Sequence, residues 1–466
     1  MFELFDGTDK KIRDSQKACL KFLEDSWNKS DVFVINAPTA SGKSALSRAI
    51  QIETGADIIT INNHLVRQFV NEYKATTAVI GRKHYLNPDK YNHSRGILFS
   101  KERNAIFNPV SFVLCDKMEV FERADVIILD EADQHIGLLL EVISTPISVT
   151  KSEYDKALPT SNSLKSILLK RIKKNVKLLG REDINKEAVT DEQAYFKQLV
   201  TLLEKDSSKL AVSKFIDERA KSSKTKYKIK ITPIKLPTNF LKQLYDGRKV
   251  ILMSGSIFKT DVPDILGYNR DFLYYEVDSP IPVEKRLIKY EPLEEELCYG
   301  FDYKKVAEEL NKVLEKYPER PAAIHTTYKD SEVLRDYLRD CKFNTKEDKD
   351  KCIDALEGSN DVLLASGMYT GVDFKDDKCR LNIILKAQYP NLNDLWVKKK
   401  RVFSPNWYHL QTLRHLIQAA GRSTRTPDDF STTVICDPRL MDLIADNWKV
   451  LPEYFKDALV LGKKSS

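Results

Sequence analysis

The clearest chemistry in the sequence lies in a short loop of small residues that ends in a lysine and a serine, Ala37-Pro-Thr-Ala-Ser-Gly-Lys-Ser44. The loop follows an apolar run at 31–36 and precedes a helical pattern that begins at Ala45. A loop between a strand and a helix directs backbone N–H groups and the helix N-terminus at one point, where they bind phosphate. The pattern predicts a nucleoside triphosphate site, although Ala37 occupies the position of the usual first glycine.

The loop predicts individual contacts to ATP and Mg²⁺. Lys43 would reach the β- and γ-phosphate oxygens, and the Ser44 hydroxyl would bind Mg²⁺. The other predicted nucleotide contacts are Ala37, Thr39, Ser41 and Gly42. A generic turn with a surface lysine is the alternative, and the flanking strand and helix patterns disfavour it.

Carboxylates follow a second apolar run, 126–129, and form the next candidate site. Ligands of α/β proteins bind at the carboxyl ends of the strands. Asp130 would hold Mg²⁺ directly or through water, and Glu131 would polarise the water that attacks the γ-phosphate. An acidic cluster can also be a helix N-terminus with favourable dipole charges. Because this one follows the lysine loop in the expected order, we favour the catalytic interpretation.

A helical pattern near the end of the chain carries Gln418, Arg422 and Arg425. Residues at these spacings share one helix face, and Gly421 would allow another element to approach closely. From a second domain, the two arginines could contact the γ-phosphate and stabilise the charge that develops on it. A surface helix whose arginines pair with carboxylates is the alternative.

Apolar runs of strand length alternate with helical patterns along most of the chain. The runs are 31–36, 57–61, 124–129 and 249–253, and then 322–325, 361–365, 381–385 and 432–436. This alternation indicates parallel sheets covered by helices on both faces. The predicted fold class is α/β, with two parallel-sheet domains and a mostly helical, basic insertion in the first. The predicted domains are 1–140 with 246–282, the insertion 141–245, and 283–466.

Composition excludes several classes of protein. The chain has 466 residues, of which 42% are hydrophobic, so a sizeable core is expected. Its seven cysteines are too few for a disulfide scaffold, and they form no CxxC pair, which disfavours a zinc ribbon. The chain contains no long apolar run, and its first residues do not resemble a signal peptide, so we expect a soluble, intracellular protein.

Positive charge is concentrated in one segment. The net charge is +7, but residues 141–250 hold 24 Lys and Arg against 13 Asp and Glu. Within this segment, Lys173 and Lys174 belong to a cluster that could contact a phosphate backbone or form a solvated helix face. Trp396 and Lys399 lie in a second stretch of mixed aromatic and basic residues. That stretch could stack bases, or it could be core and surface.

The motifs described above, in this order, resemble those of superfamily 2 helicases. Ala37–Ser44 resembles motif I, Asp130–Asp133 the DEAD/DEAH box, and Gln418–Arg425 motif VI. Residues 365–374 resemble motif V, and their Gly371-Val-Asp-Phe374 run is characteristic of the XPD/DinG-like subgroup. The resemblance implies two RecA-like domains with ATP and Mg²⁺ in the cleft between them.

The same resemblance implies roles for further residues. Residues 253–256 resemble motif III, usually Ser-Ala-Thr, which couples hydrolysis to movement in the family, but the middle residue here is Gly255. Gln16, with Arg13, resembles the motif that reads the adenine edge, and Gly371 and Asp373 would join the nucleotide site. The implied nucleic-acid contacts are Asn63 and His64, where motif Ia lies, and Thr326 and Tyr328, where motif IV lies.

The resemblance implies a monomeric, ATP-dependent DNA helicase or translocase that moves on single-stranded DNA. The chain is also similar to phage-encoded helicases that process branched DNA, which would place it in the host cytoplasm. XPD and DinG hold an iron–sulfur cluster with four cysteines between motifs I and II. Only Cys115 lies there in this chain, so no cluster is expected. The basic insertion occupies the position of the arch-like insertion of XPD.

Two alternatives remain open at the level of sequence. An RNA helicase would use the same chemistry on another polymer, and contacts to the 2′-OH would distinguish it. An ATP-switched translocase or clamp would bind nucleic acid without separating strands, and the altered motif III would favour that class.

Overall fold

The computed structural model describes residues 12–460 apart from 74–75, 81–103, 118–122, 145, 157–161, 180–192, 194–195, 198, 206, 219, 221–225, 298–299, 339–340, 344–348, 355, 357–358, 369–373, 375–377, 425 and 427. Within these residues, no helix is both long and apolar enough to cross a bilayer. Gly371, Asp373 and Arg425 lie outside the described residues.

The strands are short. They are β1 (Val32–Asn36), β2 (Asp57–Ile59), β3 (Thr77–Val79), β4 (Ala105–Phe107), β5 (Val126–Asp130), β6 (Ile147–Val149), β7 (Leu210–Ile216), β8 (Tyr227–Pro233), β9 (Lys249–Ser254), β10 (Leu273–Glu276), β11 (Ile288–Tyr290), β12 (Ala322–Thr326), β13 (Cys341–Phe343), β14 (Val362–Ser366), β15 (Leu381–Ile384), β16 (Thr432–Ile435) and β17 (Leu459–Val460).

The α-helices alternate with these strands. They are α1 (Asp14–Ser26), α2 (Lys43–Thr54), α3 (Asn63–Glu72), α4 (Pro109–Lys117), α5 (His135–Ile143), α6 (Lys151–Lys156), α7 (Asn162–Leu179), α8 (Thr238–Tyr245), α9 (Val262–Leu266), α10 (Tyr303–Lys316), α11 (Tyr328–Leu334), α12 (Lys349–Asp354), α13 (Leu395–Phe403), α14 (Pro405–Ala420), α15 (Pro438–Asp446) and α16 (Glu453–Ala458).

The first sheet has seven parallel strands in the order β10–β1–β9–β5–β2–β4–β3. Strand β1, which lies second from one edge between β10 and β9, is buried along its whole length, as expected for a strand covered on both faces. Phe33 and Ile35 of this strand pack in one core cluster with Leu23 of α1 and Leu46 of α2. We call this sheet and its helices, residues 12–135 and 242–282, lobe 1.

The second sheet also has seven parallel strands, in the order β13–β14–β12–β15–β16–β11–β17. Leu310 of α10 packs with Ile324 of β12 in the core on one face, and Leu413 and Ile417 of α14 pack with Ile384 of β15 in a separate cluster. We call residues 283–389 and 409–460 lobe 2. The predicted α/β fold class with two parallel sheets is confirmed.

Both lobes belong to one compact unit, and residues 136–241 with 390–408 form another. This second unit, which we call the insertion unit, contains an antiparallel sheet in the order β6–β8–β7. Leu164 and Leu168 of α7 pack against Val149 and Ile229 of that sheet. The insertion unit therefore combines helices with a sheet, of which the sequence indicated only the strand-like run at 226–234.

Candidate functional site

The phosphate loop begins where β1 ends, between strands β10 and β9 of the first sheet. The Ala37 N–H donates to the Ser254 carbonyl at 2.8 Å, and the Ser41 hydroxyl donates to the Pro38 carbonyl at 2.7 Å. Ala40 and Gly42 adopt left-handed conformations, with φ of 68° and 80°. A Cβ on Gly42 would lie 2.3 Å from Gln16 Nε2. Together with the left-handed backbone, this requires glycine at the residue immediately before α2.

Arg13 and Gln16 brace this loop at the start of α1. Gln16 Oε1 accepts a hydrogen bond from the Arg13 N–H at 2.9 Å, and Gln16 Nε2 donates to the Gly42 carbonyl at 3.2 Å. The Arg13 guanidinium donates to the Ala40 carbonyl. Both residues line the cavity beside the loop. The residues that the sequence assigns to the adenine edge thus also fix the shape of the phosphate loop.

The predicted catalytic carboxylates lie next to the loop at the end of β5. Lys43 Nζ is 3.1 Å from Glu131 Oε1. Glu131 has a φ of 54°, an uncommon conformation for a residue with a side chain and one that often marks a functional site. Burial and the neighbouring Glu131 charge raise the pKa of Asp130 to about 7.

Asp130 and Ser44 fit a magnesium site. Asp130 Oδ1 is buried and has no hydrogen-bond partner among the described residues. A buried carboxylate oxygen without a partner is costly, and a hard cation would satisfy it. Ser44 lines the same cavity. Magnesium typically binds through one or two protein ligands together with substrate phosphates, so this small donor set is sufficient.

Motif III lies directly behind the loop and binds the third acidic residue, Asp133. Its hydroxyls at Ser254 and Ser256 donate to the two carboxylate oxygens of Asp133, at 2.6 and 3.1 Å. A Cβ on Gly255 would lie 3.0 Å from the Ala37 carbonyl oxygen and 3.7 Å from Lys43 Nζ. The departure from the usual Ser-Ala-Thr pattern therefore has a packing reason, since this segment passes very close to the phosphate loop.

Helix α14 brings residues of lobe 2 to the same place. Gln418 Nε2 donates to Ser256 Oγ at 3.0 Å and lies 3.4 Å from Asp133 Oδ2. A Cβ on Gly421 would lie 2.8 Å from Thr39 Oγ1, so the end of α14 touches the phosphate loop itself. Arg422 lines the cavity. The structure therefore brings together Lys43, Glu131, Gln418 and Arg422.

Two residues of lobe 2 at this cleft have no counterpart in the sequence predictions. Arg414, one turn before Gln418, forms ion pairs with Asp133 and Asp261 of lobe 1. The Tyr454 hydroxyl donates to the Gly255 carbonyl. The spacing of four residues between Arg414 and Gln418 places both on one helix face, and this could have identified Arg414 from the sequence. No local pattern indicated Tyr454.

A cavity of about 940 Å³ joins these elements. Its walls in lobe 1 include Arg13, Gln16, Thr39, Lys43, Ser44, Asp130 and Glu131, and its walls in lobe 2 are Ile417, Gln418, Arg422 and Tyr454. The N-terminal part of α3, including His64, closes another side. The volume and the polar lining suit a nucleotide.

The four residues of the lobes that are predicted to contact nucleic acid differ in their exposure to solvent. Asn63 Oδ1 accepts a hydrogen bond from Asn108 at 2.5 Å, and His64 is exposed and lines the cavity. Thr326 is buried at the end of β12, whereas Tyr328 is exposed at the start of α11. The assignment of these residues to nucleic acid stays a prediction, and His64 and Tyr328 are the two that are exposed.

In the insertion unit, the predicted contacts divide into two groups. Lys173 and Lys174 are exposed on α7. Trp396 Nε1 donates to the Pro233 carbonyl at 2.9 Å, and Lys399 Nζ donates to the Leu210 carbonyl at 2.6 Å. Trp396 and Lys399 thus hold α13 against the sheet of this unit, which is a structural use of both side chains.

Comparisons with known proteins point in one direction. Residues 302–457 match the model of the helicase C-terminal domain. The chain is 33% identical over 85 residues to a regulator of telomere elongation helicase 1 homolog from Caenorhabditis elegans, covering 15% of this chain and 9% of that protein. It is 28% identical over 152 residues to a Fanconi anemia group J protein homolog from Gallus gallus, covering 28% and 12%. The matches thus span only about a tenth of these relatives.

Solved structures resemble the chain over nearly its full length. An XPD helicase structure has a TM-score of 0.61 at 15% identity, covering 97% of this chain and 99% of that one. Xpd4 from S. tokodaii has a TM-score of 0.54 at 14% identity, covering 95% and 99%. The fold is therefore that of a two-domain helicase. Together, the comparisons show that the chain resembles XPD in its fold and that residues 302–457 resemble a helicase C-terminal domain.

The contact between Gly421 and Thr39 yields a first prediction. In Gly421→Ala, the new methyl group collides with Thr39 Oγ1 and holds the end of α14 away from the phosphate loop. We expect ATP turnover to fall at least about tenfold, roughly 1.4 kcal/mol in the barrier. The melting temperature should change by only a few degrees, since Gly421 is only partly buried at a helix end.

A second substitution tests the cause. Thr39→Ala removes Oγ1, the atom that the new Cβ meets, and leaves only the Thr39 Cβ at 3.4 Å. The double variant should regain part of the turnover, measured beside Thr39→Ala alone. Wild-type turnover in Gly421→Ala would show that this close approach is not needed.

Proposed function

We propose that the protein is an ATP-dependent DNA helicase or translocase that moves on single-stranded DNA and unwinds or remodels forked or branched DNA. One observation carries the proposal: a single cavity is lined by the phosphate loop of lobe 1 and by Gln418 and Arg422 of lobe 2. A nucleotide bound there would contact both lobes. Its hydrolysis would remove part of that shared contact and so make the closed arrangement of the lobes less stable.

The side chains suggest the following division of work. Lys43 pairs with Glu131 at 3.1 Å, and ATP would draw Lys43 to its β- and γ-phosphates. Glu131 would then be free to accept a proton from the water that attacks the γ-phosphorus, as the bond to the ADP oxygen breaks. Arg422 would stabilise the charge that develops on the transferred group. When bound, magnesium would add positive charge at the phosphates, and Ser44 and Asp130 would hold it.

Coupling would run from the phosphate site to the second lobe through motif III. Asp133 follows Glu131 by two residues and binds both serines of motif III, and Gln418 reaches the same group from lobe 2. A change at the γ-phosphate would therefore move elements of both lobes together. Single-stranded DNA gripped by the two lobes in turn would advance, with contacts mostly to phosphate.

The preference for DNA is supported by the relatives, two of which are named as a telomere elongation regulator and a Fanconi anemia protein. The resemblance of the sequence motifs to the XPD/DinG-like subgroup adds an expectation of 5′→3′ movement. The exposed lysines of α7 offer a surface on which a second arm of branched DNA could lie.

Replacement of Lys43 tests the nucleotide site. We expect Lys43→Ala to abolish ATP hydrolysis, because no other described lysine lines the phosphate end of the cavity. The thermal unfolding of the variant should remain close to that of the wild type. Lys21→Ala, which removes an exposed lysine of α1, is the matched control and should keep full turnover. Near-normal turnover in Lys43→Ala would disprove the assignment of the site.

The choice of polymer separates the proposal from its alternatives. ATP turnover would be measured without polymer and with single-stranded DNA, single-stranded RNA and a branched DNA junction of equal nucleotide content. We expect stimulation by DNA, strongest with the junction. Equal or greater stimulation by RNA would favour an RNA helicase. Stimulation by DNA without strand separation in a parallel unwinding assay would favour an ATP-switched translocase or clamp.

The basic face of α7 can be tested by the salt dependence of binding. Lys170, Lys173, Lys174 and Lys177 are all exposed, and Lys170 lies 3.8 Å from a Glu153 oxygen. Their replacement by alanine should weaken binding to forked DNA and flatten the slope of log affinity against log salt. The slope should change by about 0.7 for each single-strand phosphate, or about 0.9 for each duplex phosphate, that the variant no longer neutralises, up to about 3 to 4 in total.

A control variant with the same change in net charge distinguishes direct contacts of the α7 lysines with DNA from the effect of the protein's overall charge on binding. Alanine at Lys21, Lys29, Lys304 and Lys312 removes four exposed lysines that lie outside the insertion unit and are not clustered together. This variant should keep a slope near that of the wild type. Equal slopes in the two variants would mean that the α7 lysines are only a solvated face.

A further inference from the structure

Arg414 is the most deeply buried arginine at the cleft, and it lies outside the motifs that the sequence indicates. Its side chain is 4% exposed. Nε lies 3.1 Å from Asp133 Oδ2 and donates to the Ser256 carbonyl at 3.1 Å. Nη2 lies 2.5 Å from Asp261 Oδ2. Arg414 belongs to lobe 2, and these three partners belong to lobe 1.

We propose that Arg414 is a positioning residue for the proposed ATP hydrolysis, on which this inference rests. By binding Asp133, Asp261 and Ser256 at once, it fixes the register of α14 against motifs II and III. Gln418 follows it by one turn on the same helix face, and Arg422 lies two residues beyond the end of α14 at Ala420. The position of Arg414 therefore determines where Gln418 and Arg422 meet the phosphate end of the cavity.

The arrangement requires an arginine. The guanidinium is a planar fork, so Nε and Nη2 can reach two carboxylates in different directions at the same time. A lysine would keep the charge but present it at a single point. The charge itself is needed because two carboxylates are buried here. Although burial alone lowers the pKa of Arg414, the charges of Asp261 and Asp133 raise it above its ordinary value.

The contacts predict an effect on turnover more than on nucleotide binding. The phosphate loop, Arg13 and Gln16 belong to lobe 1 and line the cavity, whereas Arg414 binds Asp133, Asp261 and the Ser256 carbonyl. Lobe 2 would contribute mainly Arg422, which acts on charge that develops during the reaction. An interaction that strengthens only in the transition state changes kcat and leaves KM almost unchanged.

The test is a steady-state comparison of Arg414→Lys and Asp261→Asn with the wild type. We expect kcat for ATP to fall about tenfold to a hundredfold in Arg414→Lys, the size of effect that a misplacement of about 1 Å can produce. KM should stay within about twofold. Asp261→Asn keeps an acceptor for the Phe258 N–H, with which Asp261 caps its turn, and should lower kcat to a smaller extent. The double variant should lose no more than Arg414→Lys alone, since both changes break one contact.

Controls separate this role from a contribution to folding. Arg380→Lys alters a less deeply buried arginine, 12% exposed, which binds Asp429 and the Phe430 carbonyl within lobe 2, and should leave kcat and KM unchanged. Melting temperatures would be measured for all variants, and kcat taken well below them. An unchanged kcat in folded Arg414→Lys, or a rise in KM alone, would overturn the proposal. Failure of the proposed function would look different, because the wild type would then hydrolyse ATP no faster than Lys43→Ala.

Discussion

The cleft between the two lobes depends on one buried carboxylate, that of Asp133. A buried charge is tolerated only when its oxygens are fully bonded, and the partners of Asp133 come from both lobes. Ser254 and Ser256 bind it from lobe 1, and Arg414 binds it from lobe 2 at 3.1 Å. Separation of the lobes would leave this charge without its cationic partner. The requirement to satisfy it therefore specifies how α14 meets the phosphate loop.

Sequence predicted the parts of the site that depend on local geometry. The phosphate loop, the acidic end of β5 and the strands around them were recognisable because each is encoded within about ten residues, where spacing, apolar runs and glycine fix the backbone. Even the second sheet followed from the return of the same alternation. The order of the strands in each sheet was not predictable, since it depends on pairing between segments such as β1 and β9 that lie far apart in the chain.

The parts that sequence could not predict depend on which face of a helix meets which neighbour. Trp396 and Lys399 lie in a stretch with the composition of a nucleic-acid surface, yet both side chains donate to backbone carbonyls of the antiparallel sheet, at the end of β8 and the start of β7. Composition does not show whether a side chain bonds the protein's own backbone or faces solvent, because a cation can lie against a carbonyl or in water. Residues 390–408 join the insertion unit for the same reason, although they lie about 150 positions after residue 241.

The two glycines at the cleft bear on the alternative of an uncoupled clamp. Glycine in the middle of motif III would weaken coupling only if that position acted through its side chain. Here a Cβ at Gly255 would crowd the Ala37 carbonyl at 3.0 Å, just as one at Gly421 would crowd Thr39 at 2.8 Å. The flanking hydroxyls of Ser254 and Ser256, which bind Asp133, are both present. The glycine thus brings motif III closer to the phosphate loop while its hydrogen bonds remain. This removes the reason for which the altered motif favoured a clamp, and coupled movement on DNA becomes the better-supported proposal.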